Sequence, residues 1–384
     1  MTLPGKRRRN NRPFFINQKL ISLAVIIFAL AVLSTGAYYA YNVAAPVESP
    51  QQDLENDKPE RPDPLVITWE YAAIGYDPAS IGPMPSVQIV SPTWFHITDQ
   101  EGTISSQFDS EYLAWARERG YDIWALVTNN FDPEITAAFL SNEEVRQNIV
   151  EELIGLALEY DLEGLNIDFE NFHADYRDLF TEFISEMAER CREENIILSV
   201  DVTMLSTSAY WSLGYDRAAL AEAADYIILM AYDEHWASSP VAGSVASLPW
   251  VESGLRQVLK EVPPEKLILG IPFYTRLWEI DESGDQPAVL NSWSYSMHRA
   301  EDIIEDNEAE IEWDGEARQN TASYSKDGLT YKMWLEDTTS ISYRLELAHR
   351  YELAGIAGWR RGLENEEVWE LIDDWLSAVK RDNE

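Results

Sequence analysis

Glu163-Gly164-Leu165-Asn166-Ile167-Asp168-Phe169-Glu170 alternates polar with bulky apolar side chains. Successive side chains of a strand point to opposite faces, so Asn166, Asp168 and Glu170 share one face and Leu165, Ile167 and Phe169 the other. Such a strand needs a polar or functional cavity on one side and a packed layer on the other. It runs into Asn171-Phe172-His173, a loop-like stretch, which puts Glu170 at the strand's carboxyl end. That is where α/β barrels and open α/β sheets carry their chemistry.

Short apolar, β-branched runs recur on both sides of this stretch, at 65–74, 87–97, 122–128, 164–171, 196–203, 226–232, 267–274 and 355–359. Segments of helical period separate most of them, at 110–119, 142–159, 176–194, 216–223, 250–262 and 340–351. Strands alternating with helices predict a parallel sheet, and eight of them predict the α/β class, a (β/α)8 TIM barrel over 65–380. The gap 279–339 is too long for a loop and predicts a small α+β insertion between the seventh and eighth strands. The lone cysteine, Cys191, excludes an intramolecular disulfide. Phe183, Met187 and Cys191 recur every fourth residue in a helical stretch, so Cys191 reads as core.

The amino-terminal end is of another kind. The first 41 residues hold six basic residues and no acidic one, and 20–41 is uncharged and rich in Leu, Ile, Val and Ala. This 22-residue run is long enough to cross roughly 30 Å of hydrocarbon. It predicts a transmembrane signal anchor, with the basic segment 1–19 cytoplasmic and the rest outside the cell membrane. A cleaved signal peptide is the competing reading, with Thr35-Gly36-Ala37 as a small-residue site, and would make the protein secreted. The stretch 42–64 is mostly Pro, Glu, Asp, Gln and Ser and predicts a disordered linker. Without the six basic residues, 23 Lys and Arg face 67 Asp and Glu, a formal charge of −44. Such a surface repels nucleic acid and anionic lipid.

Several strand ends carry residues suited to a sugar: Trp94 and His96 on the second, Asn129 and Asn130 on the third, Tyr232, Asp233, His235 and Trp236 on the sixth, Tyr274, Arg276 and Trp278 on the seventh, and Trp359, Arg360 and Arg361 on the eighth. Aromatic faces stack on pyranose rings while carboxylates and amides bind hydroxyl and acetamido groups. Any one of Trp94, Trp236, Trp278 and Trp359 could instead be core, and Arg276 could serve only to pair with an acidic neighbour. The five histidines, His96, His173, His235, His298 and His349, lack metal-ligand spacing, so neither metal nor cofactor is expected.

The block Glu163–Glu170 resembles the Asp-Gly-x-Asp-x-Asp-x-Glu signature of glycoside hydrolase family 18, the chitinase-like barrels. Met230-Ala231-Tyr232-Asp233 is similar to that family's Met-x-Tyr-Asp, Gly270–Trp278 to its Gly-x-Pro-Phe-Tyr-Gly-Arg-x-Trp, and Trp359 to the tryptophan ending its eighth strand. Two positions depart from the chitinase pattern, Glu163 for the first Asp and Asn166 for the second. The Asn form, with Phe169-Glu170-Asn171, resembles the branch of bacterial spore-cortex-lytic N-acetylglucosaminidases, as do Asp233-Glu234-His235 and Trp359-Arg360-Arg361.

Asp168 and Glu170 approach a sugar from one strand, roughly 6.6 Å apart along it. A conventional pair flanking the anomeric carbon would need a second carboxylate from elsewhere; alternatively the substrate's own 2-acetamido group is the nucleophile. The resemblance implies this second route. Glu170 protonates the glycosidic oxygen, Asp168 guides the acetamido group, Tyr232 donates to its oxygen with Asp233 orienting, and Trp359 floors the distorted ring. Asn166, Trp94, Asn129, Tyr274 and Arg276 are the further substrate-binding candidates. With Asn166 in place of a carboxylate, Asp168 is expected to lack a titratable partner and the pH profile to be simple. The expected activity is hydrolysis of β-1,4-linked N-acetylglucosamine glycan, peptidoglycan first and chitin second. A non-catalytic, lectin-like barrel is the reading from another class.

Overall fold

The computed structural model describes residues 62–72 and 75–383. The basic segment, the expected membrane span and nearly all of the linker lie outside the described residues. Among the described residues no helix is long and apolar enough to cross a membrane.

Eight parallel strands form the barrel: Leu65–Glu70, Ile89–Ile97, Asp122–Thr128, Gly164–Asp168, Ile197–Thr203, Tyr226–Met230, Leu267–Pro272 and Gly355–Trp359. Each pairs with the next, and the eighth pairs with the first, so the sheet closes. The expected alternation holds on the fourth strand. Leu165, Ile167 and Phe169 are fully buried in the layer between barrel and helices, against Phe139, Phe180 and Phe183. Inside the barrel, Ile67, Trp69, Ile89, Trp124, Leu126, Ile228 and Ile268 pack as a separate cluster.

Four strands stop short of their expected carboxyl ends, at Glu70, Asp168, Met230 and Pro272. At the rim the ladder gives way to side chains that take up the backbone groups. The amide of Asn129 accepts from the Glu170 N–H at 3.1 Å and donates to the Glu170 carbonyl at 2.7 Å. Glu170 therefore sits just beyond the strand, held by an amide from the neighbouring one. The expected helices are present with boundaries within a few residues, most of them capped by acidic or amide side chains such as Asp109, Asn142 and Asp337. Cys191 is buried in the helix Arg177–Glu194 beside Phe183 and Met187, and burial pushes its thiol up to about 12. Two further helices, Pro133–Leu140 and Glu366–Asn383, were not expected; the first carries the Asp-Pro start signal but spans only two turns.

The insertion is a five-stranded antiparallel sheet with the helix Met297–Asp306 packed on it. It begins at Tyr274 rather than near 279, because one residue after the seventh strand the chain re-enters a strand, Tyr274–Asp281, belonging to the second sheet. A buried pair ties it down. Glu336 accepts two bonds from Arg344, at 2.6 and 2.9 Å, and one each from Gln319 and Ser340, while burial raises its carboxyl to about 7.

A second buried pair locks the closing seam. Arg361, just past the eighth strand, donates to Glu70 at the end of the first at 2.6 Å, and both side chains are 1% exposed. Removing one partner of such a pair strands the other charge, so Arg361→Leu is expected to lower the unfolding free energy by about 3–5 kcal/mol. Urea unfolding checks this against Arg190→Ala, which breaks exposed pairs with Glu151 and Glu193 and is expected to leave the midpoint nearly unchanged.

Candidate active site

Three carboxyl groups meet at the carboxyl end of the barrel. Asp168 closes the fourth strand, Glu170 follows it, and Asp201 comes from the fifth strand. Asp168 and Asp201 are 3% and 1% exposed. Burial holds all three well above the usual carboxylate range, Asp201 raises Asp168 further, and Asp168 and Asp233 raise Glu170 further. Glu170 thus keeps its proton at a pH where an exposed glutamate has lost it, which a general acid requires.

Asn166 is the bridge beneath them. Its amide oxygen accepts from the Trp69 indole at 2.8 Å and the Ser91 hydroxyl at 3.1 Å, and its amide nitrogen donates to Asp201 at 2.7 Å. One oxygen of Asp168, by contrast, is buried without a hydrogen-bond partner among the described residues. Buried carboxylate oxygens are nearly always bonded, so this one is free for a donor that arrives with a ligand. Tyr232 belongs to the same cluster: burial raises its hydroxyl, and Asp201, Asp168 and Glu170 raise it further. Its ring stands edge-on to Trp69 at 6.5 Å and to Tyr274 at 6.4 Å, and Trp69 in turn touches Trp359 at 5.7 Å.

A cavity of about 330 Å³ adjoins the cluster, lined among others by Asp233, Tyr274, Arg276, Trp359 and Arg360. Asp233 is held by the Tyr274 hydroxyl at 2.5 Å and by Arg276 at 3.2 Å. Asp168, Glu170, Tyr232, Asp233, Tyr274, Arg276 and Trp359 are therefore drawn to one place.

Three expected sugar contacts are corrected. Trp94 is fully buried in the outer layer against Phe108 and Tyr112, because Ile89 and Ser91 of the same strand face the barrel interior and the alternation turns Trp94 outward. Asn129 is fully buried, with its donors spent on Thr136 and Glu170 and its acceptor on Phe131 and Glu170; it positions the Glu170 backbone. Asn166 is likewise committed to Trp69, Ser91 and Asp201. The expected absence of a titratable neighbour for Asp168 is overturned as well, since Asp201 supplies one. Its signal was legible: Asp201 alternates with Val200 and Val202 as Asp168 alternates with Ile167 and Phe169. Trp69 was missed in the same way. Glu163, the other departure, sits at the opposite strand end, where its carboxylate accepts from the Ile123 N–H at 2.8 Å. Among the described residues no group of three His, Cys, Asp or Glu side chains could hold a metal ion.

Residues 124–364 match the model of glycosyl hydrolases family 18. The chain belongs to that family and is a glycoside hydrolase. An uncharacterized glycosylase of Bacillus subtilis (strain 168), YvbX, is 27% identical over 286 residues, covering 71% of this chain and 80% of that protein. The cortical fragment-lytic enzyme of the same organism is 25% identical over 256 residues, covering 65% of this chain and 58% of that protein, so the chain spans less than two thirds of it. The crystal structure of the Bacillus megaterium QM B1551 spore cortex-lytic enzyme SleL aligns with a TM-score of 0.71 at 20% identity, over 86% of this chain and 78% of that chain, a likeness of fold.

For this family 18 chain, the Asp168–Asp201 pair sets the expected pH behaviour. Replacing Asp201 by a neutral amide removes a negative neighbour, so Asp168 ionises more easily. Asp201→Asn is expected to turn a two-step acidic limb of kcat/KM into a single step at lower pH; a two-step limb surviving in the variant overturns the coupling. Stability gives a second check. These carboxyls hold protons more tightly folded than unfolded, so stability falls as pH rises above the ordinary carboxylate range. Calorimetry of Asp201→Asn is expected to show a higher Tm than the parent at pH 8, with the difference shrinking toward pH 4.

Proposed function

We propose that the protein is a retaining β-N-acetylglucosaminidase that acts outside the cell on glycan containing N-acetylglucosamine, peptidoglycan foremost. The observation that carries this reading is the buried, unpartnered oxygen of Asp168 beside a glutamic acid that retains its proton. Such an oxygen accepts the N–H of a substrate acetamido group and turns its carbonyl toward the anomeric carbon. Glu170 protonates the departing oxygen, and its carboxylate then activates water to open the cyclic intermediate. Tyr232 donates to the acetamido oxygen as it becomes the nucleophile. Asp233 is engaged by Tyr274 and Arg276 and Asp201 by Asn166, which favours the substrate's acetamido group as the nucleophile. Trp359 supplies the apolar floor on which the distorted ring stacks.

Peptidoglycan is favoured over chitin by the Asn166 form of the motif and by the likeness to the cortical fragment-lytic enzyme. The uncharged run 20–41 behind six basic residues supports a membrane anchor with the barrel outside, where such a glycan lies.

Digestion of purified peptidoglycan and of chitin, with mass analysis of the products, tests the reading. The parent protein is expected to release fragments with N-acetylglucosamine at the new reducing end, and Glu170→Gln to lose about a hundred- to ten-thousand-fold in rate. Proton NMR of the first product is expected to show the β-anomer; the α-anomer would overturn the substrate-assisted route. Cleavage of chitin alone would select the chitinase reading.

A further inference from the structure

The cavity beside Tyr232 has a charged lining that does not cancel. Asp233 and Arg276 neutralise one another at 3.2 Å. Arg361 faces away and is taken up by Glu70 and the Pro78 carbonyl. Arg360 lines the cavity and is half-buried, yet among the described residues no carboxylate lies against it. Its guanidinium makes one long bond, 3.3 Å, to the Arg361 carbonyl and stands 5.9 Å from the exposed ring of Tyr71. This occurs in a chain whose 67 acidic residues outnumber 29 basic ones, where a cation serving only the fold has carboxylates in excess to pair with.

A guanidinium offers a planar fork of donors matched to a carboxylate, and partial burial strengthens that bond. Arg360 follows Trp359 directly in sequence, so the fork lies one step from the ring-stacking floor. We infer that Arg360 binds a carboxylate carried by the sugar next to the one seated on Trp359, and so selects acidic over neutral N-acetylglucosamine glycans. The inference rests on the proposed glycosidase reading of the same site and narrows its substrate. In peptidoglycan each N-acetylglucosamine is flanked by sugars bearing a 3-O-lactyl acid, whereas every ring of chitin is neutral. With the peptide removed, that acid is a free carboxylate within reach of a subsite wall.

The test uses the full chain with three substrates: peptide-free glycan strands with free lactyl carboxylates, the same strands with those groups converted to amides, and chitooligosaccharides of equal length. The parent is expected to prefer the acid strands to their amides, with the preference falling as salt is added. Arg360→Gln is expected to reduce the acid-to-amide ratio of kcat/KM about tenfold, the loss of one charge-assisted bond, through KM rather than kcat. Arg360→Lys, which keeps the charge and loses the fork, is expected to fall between. An unchanged ratio in Arg360→Gln, or equal losses on acid and amide strands, would overturn the inference while leaving the glycosidase reading intact. Failure of the parent to cleave any of the three substrates would overturn that reading and the inference with it.

Discussion

Burying Asp168 and Asp201 beside the half-buried Glu170 is the constraint around which the rest of the barrel is arranged. Each carboxyl loses its hydration, and each negative charge opposes the next, so the cluster holds protons that exposed carboxyls would release. The neighbouring cations do not relieve this: Arg276 is committed to Asp233 and Arg361 to Glu70, and Arg360 forms no ion pair among the described residues. What orients the cluster instead is neutral. Asn166 fixes Asp201, Asn129 fixes the backbone of Glu170, and Trp69 fixes Asn166. A site so built retains a proton donor because nothing beside it compensates the charge.

The destabilisation stored there is carried by the layers around it. The fourth strand is anchored from outside by Phe139, Phe169, Phe180 and Phe183, all fully buried, and the closing seam is locked by the Glu70–Arg361 pair. Large apolar contacts and a closed ladder tolerate a few poorly solvated carboxyls, whereas a small or open sheet would not. The insertion adds a wall on one side. Its strands contribute Ser294 and Tyr295 to the cavity and are pinned through Glu336 and Arg344.

The eight barrel strands were legible because strands covered on both faces read as short apolar runs broken by helical period. Their carboxyl ends were not, since the ladder stops where side chains begin to bond the backbone, and those partners lie far away in sequence. Asn129 and Glu170 are 41 residues apart. The same reason hid the roles of Asn129 and Asn166: an amide at a strand end looks identical whether it meets a sugar or a neighbouring strand. Trp94 was misplaced because it was read only as an aromatic at a strand end, whereas the inward-facing Ile89 and Ser91 of the same strand set it on the outer face. That Tyr232, Asp233, Tyr274, Arg276 and Trp359 gather at one rim was legible because each stands in a run whose order along the chain mirrors the order of strands around the barrel.

Asn166 and Asp201 show how a departure from a motif is to be read. On one strand, Asn166 replaces the carboxylate that the chitinase pattern carries two residues before Asp168, which suggests a lost proton partner. Asn166 pairs in register with Ser199, and continuing that register by two residues brings Asp201 level with Asp168. The carboxyl missing from the fourth strand is thus present on the fifth, at the height of the group it must influence, with the Asn166 amide holding it at 2.7 Å. Position along a strand and position around the barrel are interchangeable for a side chain that points inward. The chemistry depends on which groups share the cavity, and a one-strand signature records only part of that set.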